Sequence, residues 1–587
     1  MLKLKLNKNK YPWYDYYKDV PHNLEYFKGT MVEYVMETAL KYPKLYALEY
    51  YNNKVTYKEF IDKIIDCAKA LKVIGVREGD VVSICMPNTP SALYMFYAVN
   101  LIGGVSNMIH PLSSEKEIEM YLNKTKSKVI MTIDFTYKKV INIINNTSVK
   151  TVIVSSAGDD LRGLKKKLYQ LYKTDVTKAV KKIKQVFLKA FQNRSVTSYK
   201  KFIIYGRGYY EDYTFKKQDI DTAVILYSGG TSGTPKGIKL SNKAFNALAL
   251  EAHYMCDPAK KGDSILSIMP IFHGFGLGVC IHTCLHIGMK CILIPTFKGK
   301  NLGKLIRKTR PNFIVGVPTL FEALYNNKLK EGDFSSINCI VSGGDLISEE
   351  KYNRYNEMFQ KYGAKAKIRV GYGLTEACAA TCLSPTDIHK ESSIGIPFPD
   401  TVYKIVKIGT TKEAKPLEDG EICISGPTLM QGYLDEEEET SKALRKHNDG
   451  KIWLHTGDVG CIDEDGFVYF KSRLKRMIVS SGYNIYPSYI ENIINKHEYV
   501  RTSTVIGKDD KYRGQIAKAY IVLKKEVKLT DEVKEEIKNH CKKYIAKYSM
   551  PRIFEFKKEL PKTLVGKIAY QELEEETNSK ERKDKHE

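Results

Sequence analysis

The sequence predicts an α/β protein, and three observations support this class. The chain has 587 residues, and 43% of them are hydrophobic, which is enough for several domains with apolar cores. Residues 221–227 form a short apolar run typical of a buried strand, and a second short run begins at Gly237. Ser241 then stands where a helix N-cap is expected, directly before the helical pattern of residues 242–255.

Composition argues against several other classes. The longest apolar stretch, residues 92–105, is shorter than the roughly 20 residues that a membrane-spanning helix needs. The first residues lack the apolar segment of a signal peptide, so we expect none. Twelve cysteines occur without a C-x-x-C pair or zinc-site spacing, which favours free, buried thiols in a reducing compartment. The net charge of +25 leaves nucleic acid and anionic lipid open as partners, although no nucleic-acid-binding motif occurs.

The loop at residues 227–237, YSGGTSGTPKG, has the composition of an anion site. Glycines let several backbone N–H groups converge on one anion, while hydroxyls and a lysine add donors and charge. The loop suits a polyphosphate, although a plain glycine-rich surface turn has the same composition. It is not a Walker A loop, because Pro235 precedes the lysine and Gly237 follows it. The candidate binding residues are Ser228, Gly229, Gly230, Thr231, Ser232, Gly233, Thr234 and Lys236.

Five further motifs follow this loop along the chain. They are PIFHGFGLG (270–278), VSGGDL (341–346), GYGLTE (371–376), a long motif that begins with HTGD (455–491) and LPKTLVGKIAYQEL (560–573). Together with the loop, they resemble the motifs of the adenylate-forming superfamily, which includes acyl-CoA synthetases, amino-acid adenylation domains and luciferases. The resemblance covers roughly residues 30–573.

The resemblance implies a binding site for ATP and Mg²⁺. Tyr372, between Gly371 and Gly373, would stack on adenine, and Gly343, Gly344 and Asp345 would lie against the same base. Thr375 would contact the α-phosphate, and Glu376 and Thr231 would hold the metal, for which carboxylate oxygen is a preferred ligand. Asp458 and Arg473 would bind the ribose; taken alone, such a pair is more often a surface ion pair.

The resemblance also implies a division into domains. Residues 1–472 would form a large N-terminal domain of sheets sandwiched by helices, with a β-rich part near residues 390–470. Residues 473–573 would form a small, mobile α+β domain that rotates at a hinge near Lys475, and residues 574–587 would form a frayed, charged tail. Lys567 would reach the α-phosphate in one orientation, and Gly482 would line the coenzyme A channel in the other. Val565 stands where the family usually has Ser or Thr, so the lysine loop would be held without that hydroxyl.

The reaction implied is the activation of a carboxylic acid to an acyl-adenylate, followed by transfer to coenzyme A. His273 stands where amino-acid-activating relatives carry an amine-binding aspartate, so a plain acid is favoured; a histidine buried in the core is the alternative. We therefore expect a medium- to long-chain fatty acid as the substrate. An aryl-CoA ligase of the 4-coumarate or o-succinylbenzoate type and a non-catalytic nucleotide-binding scaffold stay open, as does a separate carrier protein as acceptor.

A basic segment interrupts the N-terminal part at about residues 157–200. Residues 161–200 contain twelve Lys or Arg and one acid, an excess of 12 − 1 = 11, and their apolar residues recur at helical spacing. Such an amphipathic segment suits an anionic membrane surface, and it suits equally well docking onto its own domain. We expect a cytoplasmic protein, with peripheral contact at the inner face of a membrane as the alternative.

Overall fold

The computed structural model describes residues 11–161, 194–214, 218–227, 235–256, 259–296, 299–480, 483–547, 549–562 and 568–583. Most of the basic segment and the stretch from Ser228 to Thr234 therefore lie outside the described residues, and so do Gly482 and Lys567. The predictions for these residues stay predictions.

The described strands follow the chain as β1–β27. They are β1 Tyr46–Tyr50, β2 Asn53–Thr56, β3 Val81–Cys85, β4 Val105–Met108, β5 Val129–Ile133, β6 Thr151–Ser155, β7 Ser195–Ser198, β8 Thr222–Tyr227, β9 Gly237–Ser241, β10 Ser264–Ser267, β11 Lys290–Leu293, β12 Phe313–Gly316, β13 Cys339–Ser342, β14 Ile368–Tyr372, β15 Cys382–Leu383, β16 Ser393–Pro397, β17 Val402–Val406, β18 Gly420–Ser425, β19 Gly432–Tyr433, β20 Leu444–Lys446, β21 Ile452–Ile462, β22 Val468–Arg473, β23 Ile478–Ser480, β24 Tyr483–Ile485, β25 Val500–Asp510, β26 Gly514–Leu523 and β27 Ile553–Phe556.

The α-helices are numbered in the same way. They are α1 Met31–Lys41, α2 Tyr57–Val73, α3 Pro90–Leu101, α4 Glu115–Lys124, α5 Tyr137–Ile143, α6 Tyr199–Tyr205, α7 Asn242–Met255, α8 Cys284–Ile287, α9 Leu302–Thr309, α10 Pro318–Tyr325, α11 Glu349–Lys361, α12 Glu437–Ala443, α13 Pro487–Asn495, α14 Asp531–Tyr544 and α15 Tyr570–Lys583. Short 3₁₀ turns occur at Pro12–Tyr16, Ile144–Asn146, Gly206–Gly208, Gly299–Asn301, Thr375–Ala377 and Leu474–Arg476, and Phe275–Thr283 is a π-helix.

Three sheets organise the described residues. One has the strand order β19-β9-β8-β4-β3-β5-β6-β7, and its central strands are parallel. The largest runs from β17 to β2 in the order β17-β18-β21-β22-β16-β15-β14-β13-β12-β10-β11-β1-β2, with β20 added beside β21. The third, with the order β24-β23-β26-β25 and β27 beside β26, contains only strands after residue 477. Parallel strands with helices on their faces are the α/β arrangement, so the predicted fold class is confirmed.

Local sequence explains several of these elements. Ser241 caps α7, because its hydroxyl accepts the N–H of Ala244 at 3.1 Å, as predicted. All twelve residues of α3 are buried, and the helix begins with Pro90 at its first position, where no backbone donor is needed. The twelve cysteines are free, and all except Cys256 are buried, in agreement with the sequence. None of the described helices combines the length and the apolar character needed to cross a membrane.

The five-stranded sheet has its own core. Ile478, Ile490, Val505, Ile521 and Ile537 are buried together, and they come from β23, β25, β26 and the two helices α13 and α14. The β-rich part that the sequence predicts near residues 390–470 is present as β16–β22.

The prediction of a frayed tail after Leu573 is wrong for residues 574–583. Helix α15 continues to Lys583, and Thr577 is buried, with its hydroxyl 2.7 Å from the hydroxyl of Tyr520. The polar composition of this segment suggested disorder, but one face of the helix packs against β25 and β26, because Leu573 joins a core with Ile506 and Tyr520.

Candidate functional site

The predicted adenine residues lie at the carboxyl ends of two neighbouring parallel strands, β13 and β14. Gly343 follows β13, and a Cβ atom on it would lie 3.2 Å from the carbonyl oxygen of Gly371, so the two backbones are in close contact. Gly344 has a φ of +76°, a conformation that favours glycine. Asp345 is exposed and its Oδ1 accepts the N–H of Leu346 at 2.9 Å. Gly343 and Gly344 therefore present backbone, without side chains, at this end of the sheet.

A tight loop follows β14. At Gly373 a Cβ atom would lie 1.5 Å from the carbonyl oxygen of Ala379, so only glycine fits there. The chain then makes a 3₁₀ turn at Thr375–Ala377 and reverses through Cys378, whose φ is +64°. This path brings Thr375, which is buried, and Glu376 to the same end of the sheet as Tyr372.

Tyr372, Asp458 and Arg473 are in direct contact. Asp458 and Arg473 are cross-strand partners on β21 and β22, and Arg473 Nε lies 3.0 Å from Asp458 Oδ1. The hydroxyl of Tyr372 donates to Asp458 Oδ2 at 2.5 Å. Asp458 is fully buried, and its charge raises the pKa of Arg473, while burial and then Asp458 raise the pKa of Tyr372 well above its ordinary value. The buried carboxylate of Asp458 thus accepts a hydrogen bond from Tyr372 and forms an ion pair with Arg473.

Glu376 contacts a tyrosine that the sequence did not single out. The hydroxyl of Tyr433 donates to Glu376 Oε1 at 3.1 Å, and the ring of Tyr433 lies 4.8 Å from the ammonium of Lys236. Lys236 also forms an ion pair with Glu439, and this contact holds the pKa of Glu439 at about 2. Burial raises the pKa of Glu376 above its ordinary value. Tyr433 therefore contacts both the carboxylate of Glu376 and the ammonium of Lys236, which in turn pairs with Glu439.

His273 lies in the turn before the π-helix Phe275–Thr283. Its Nδ1 accepts the N–H of Phe275 at 3.3 Å, and its carbonyl accepts the N–H of Leu277 at 2.9 Å. The next residue, Gly274, packs on the loop after Glu376, because a Cβ atom there would lie 2.8 Å from the carbonyl oxygen of Cys378. The half-buried His273 is therefore next to the loop that carries Glu376.

The hinge candidate Lys475 is exposed in the 3₁₀ turn Leu474–Arg476. Its neighbour Arg476 donates to Glu491 Oε1 at 2.5 Å and lies 4.4 Å from the ring of Tyr570.

The structure thus brings together Tyr372, Glu376, Asp458 and Arg473, with Gly343 beside Gly371. Tyr433 and Glu439 are the residues that the sequence did not predict. Both lie in the stretch QGYLDEEEET, residues 431–440, whose run of acids next to one tyrosine was the available signal.

Comparisons with known proteins show the family and the fold of the chain. A family model described as AMP-binding enzyme matches residues 35–434, and one described as AMP-binding enzyme C-terminal domain matches residues 489–567. The long-chain-fatty-acid–CoA ligase of Bacillus subtilis (strain 168) is 34% identical over 577 residues, covering 97% of this chain and 98% of the relative. The ligase of the same description from Salmonella typhimurium (strain LT2) is 30% identical over 583 residues, with 97% and 98% covered. The crystal structure of ATP-bound MatB from Rhodopseudomonas palustris has the same fold, with a TM-score of 0.79 at 22% identity and with 94% and 99% of the two chains covered.

Proposed function

Because the chain belongs to the AMP-binding enzyme family, we propose that it is an AMP-forming acyl-CoA ligase whose acid is a long-chain fatty acid. The first half-reaction joins the carboxylate to the α-phosphate of ATP and releases pyrophosphate. The second transfers the acyl group to the thiol of coenzyme A and releases AMP. The contact of Tyr372 and Arg473 with one buried carboxylate, Asp458, is the observation that carries the proposal.

Asp458 is assigned as the acceptor for the ribose hydroxyls. The hydrogen bond from Tyr372 and the ion pair with Arg473 already fix its carboxylate, so little reorganisation is needed when the sugar arrives. Tyr372 would present its ring to adenine while its hydroxyl stays on Asp458, and the close backbones of Gly343 and Gly371 would cover the other face. These contacts orient the nucleotide so that its α-phosphate faces Thr375.

The phosphate end of ATP is assigned to Thr375, Glu376 and Lys236, with residues 228–234 of the glycine loop. Glu376 fits Mg²⁺, since a carboxylate oxygen is a hard ligand and Tyr433 orients it. When bound, the ion offsets the negative charge that develops on the phosphate oxygens. Lys236 would exchange its ion pair with Glu439 for the triphosphate.

Lys567 is assigned the role of aligning the carboxylate with the α-phosphate. It precedes Tyr570 by three residues, and Tyr570 is close enough to Arg473 to contribute to the raised pKa of that guanidinium. The start of α15 therefore lies beside the nucleotide site, which supports the assignment. We propose the same division of the chain that the sequence suggests, with the hinge at Lys475.

Acid-dependent exchange of pyrophosphate into ATP tests the function. Fatty acids of increasing chain length should support exchange, and added coenzyme A should yield the acyl-CoA and AMP in equal amounts. Exchange with benzoates or cinnamates but not with fatty acids would favour an aryl-CoA ligase. Exchange with amino acids alone would refute the substrate assignment, and ATP binding without any exchange would favour a non-catalytic protein.

A further inference from the structure

A buried row of three ionisable side chains lies behind Asp458. Glu421 is on β18, His455 is on β21, and His447 follows β20. His455 Nδ1 lies 2.8 Å from Glu421 Oε2, and His455 Nε2 lies 2.9 Å from His447 Nε2. All three residues are more than nine-tenths buried, so water does not compete for these hydrogen bonds.

The carboxylate determines the first hydrogen-bond direction in this row, because Glu421 accepts and His455 therefore donates from Nδ1. One proton lies between the two Nε2 atoms, and we assign it to His447, so that His455 Nε2 accepts. Burial lowers the pKa of His447, which keeps its ring neutral as this arrangement requires. Within the described residues, His447 Nδ1 is buried without a hydrogen-bond partner.

The other carboxylate oxygen of Glu421 binds the backbone next to Asp458, the proposed ribose acceptor. Oε1 accepts the N–H of Gly457 at 3.0 Å, directly before Asp458. Gly457 has a φ of +70°, and the pairing of β18 with β21 shifts register between Glu421 and Cys423. Glu421 therefore stabilises an irregular, left-handed step directly before Asp458, the residue that accepts from Tyr372.

A metal site is the competing interpretation, because Cys423 Sγ and ligand atoms of Glu421 and His455 lie within 4.8 Å of one another. However, both oxygens of Glu421 and both ring nitrogens of His455 already take part in the hydrogen bonds above. Lys404, the cross-strand partner of Cys423, adds a positive charge beside the thiol. The ligand atoms of Glu421 and His455 are therefore already used in hydrogen bonds, which argues against an open cation site.

We propose that Glu421 and His455, supported by His447, are positioning residues that fix Asp458 for the ribose hydroxyls of ATP. None of the three touches the nucleotide; they act through Gly457 and the strand that carries Asp458. The inference rests on the proposed function, because it takes Asp458 as the ribose acceptor.

The substitution Glu421→Gln tests it while keeping the side-chain shape. The amide of glutamine would donate to His455 and reverse its tautomer, so that His455 Nε2 would donate to His447. The proton of His447 would then move to its Nδ1, where the buried N–H has no acceptor among the described residues. The readout is the ratio of kcat/KM for ATP to that for 2′,3′-dideoxyATP in pyrophosphate exchange. In the unaltered protein this ratio should be large, because Asp458 accepts from hydroxyls that the analogue lacks.

In Glu421→Gln we expect kcat/KM for ATP to fall about tenfold to a hundredfold, mainly through KM, while the value for the dideoxy analogue changes little. The ratio should therefore decrease towards one. His447→Phe, which removes the outermost donor, should lower the ratio in the same direction by a smaller factor, and it provides the test if Glu421→Gln does not fold. Glu437→Gln, at an exposed site on α12, is the matched control and should leave the ratio unchanged.

Equal loss with both nucleotides, or an unchanged ratio in both variants, would overturn the inference while the unaltered protein remains an active ligase. An unaltered protein that uses the two nucleotides equally would overturn it too, because Asp458 would then bind no ribose hydroxyl. If the unaltered protein shows no exchange with any acid, the proposed function itself fails.

Discussion

Replacing Tyr433 with phenylalanine tests the metal-ligand role of Glu376 without removing the carboxylate. The hydroxyl donates to Glu376 Oε1 at 3.1 Å, whereas the ring lies 4.8 Å from the Lys236 ammonium, so Tyr433→Phe loses only the donor. A hydrogen bond to a charged acceptor contributes about 1.5–3 kcal/mol. Because Glu376 is only half-buried, we take the lower end, about 1.5 kcal/mol, which corresponds to about a tenfold loss in kcat/KM for MgATP.

The same substitution should change the pH dependence in a defined direction. Burial raises the pKa of Glu376, and the hydrogen bond from Tyr433 opposes this rise. Without the hydroxyl, the carboxyl group keeps its proton to a higher pH. Since Mg²⁺ binds the ionised form, the acid limb of the rate profile should shift to higher pH, and half-maximal rate should need more Mg²⁺.

The assay is adenylate formation measured at several Mg²⁺ concentrations from about pH 5 to about pH 9. Tyr512→Phe is the matched control, because Tyr512 is 97% exposed and the same hydroxyl is lost there. A Tyr433→Phe protein with the Mg²⁺ dependence and acid limb of the unaltered protein would refute the role given to Glu376.

Three further predictions concern other parts of the site. Glu376→Gln should abolish adenylation yet raise the apparent Tm of the ligand-free protein, because a raised carboxyl pKa means that the ionised group destabilises the fold at neutral pH. The gain in Tm should shrink as the pH falls towards 4.5, the ordinary pKa of the group, since the carboxyl group then becomes protonated in both the folded and the unfolded protein. A gain in Tm that grew on acidification would contradict this. Lys567→Ala should slow adenylate formation by about a hundredfold or more but spare the conversion of added acyl-adenylate to thioester, and equal loss of both half-reactions would argue against it. Gly373→Ala should lower adenylation by about a hundredfold and lower the apparent Tm, because its Cβ would lie 1.5 Å from the Ala379 carbonyl oxygen, whereas Gly208→Ala, with nothing within 4 Å of the added atom, should have no effect.

Local patterns in the sequence were sufficient for the elements around the glycine loop. Two short apolar runs and a capping serine predicted β8, β9 and α7 correctly, because strand burial and helix capping depend on adjacent residues. The prediction for the tail after Leu573 was wrong because its structure depends on residues that are distant in the sequence. Its polar residues favour solvent, and the helix that they form depends on a distant contact between Thr577 and Tyr520.

Site residues could be predicted from the sequence only where they lie within one recognisable motif. Asp458 and Arg473 lie fifteen positions apart, and only the antiparallel register of β21 and β22 makes them direct partners. Tyr433 is on β19 of the eight-stranded sheet, whereas Glu376 lies in the turn after β14 of the largest sheet. The network behind Asp458 links strands whose pairing no local pattern reveals. Sequence reasoning therefore identified the groups expected to touch ATP, but it missed the groups that orient them.

Charged residues close to the predicted hinge have partners in different parts of the chain. Arg473 pairs with Asp458 on the large sheet, whereas Arg476 donates to Glu491 Oε1 at 2.5 Å, on a helix that packs on the five-stranded sheet. Lys475 lies between these two arginines and is exposed. A rotation of the backbone at Lys475 would therefore carry Arg476 and Glu491 together and would leave the Asp458–Arg473 pair intact.

This division of partners gives the two half-reactions different requirements. If Asp458 accepts the ribose as proposed, its pair with Arg473 would stay assembled in both proposed orientations, so the adenylate would remain bound during the rotation. Lys567, which the proposal assigns to the rotating domain, would leave the α-phosphate at the same time and give access to coenzyme A. The ion pair and the lysine are thus expected to differ in one measurable respect: Asp458→Asn should impair both half-reactions, whereas loss of Lys567 should impair only the first. Two variants with the same profile would mean that the chain does not rotate at Lys475.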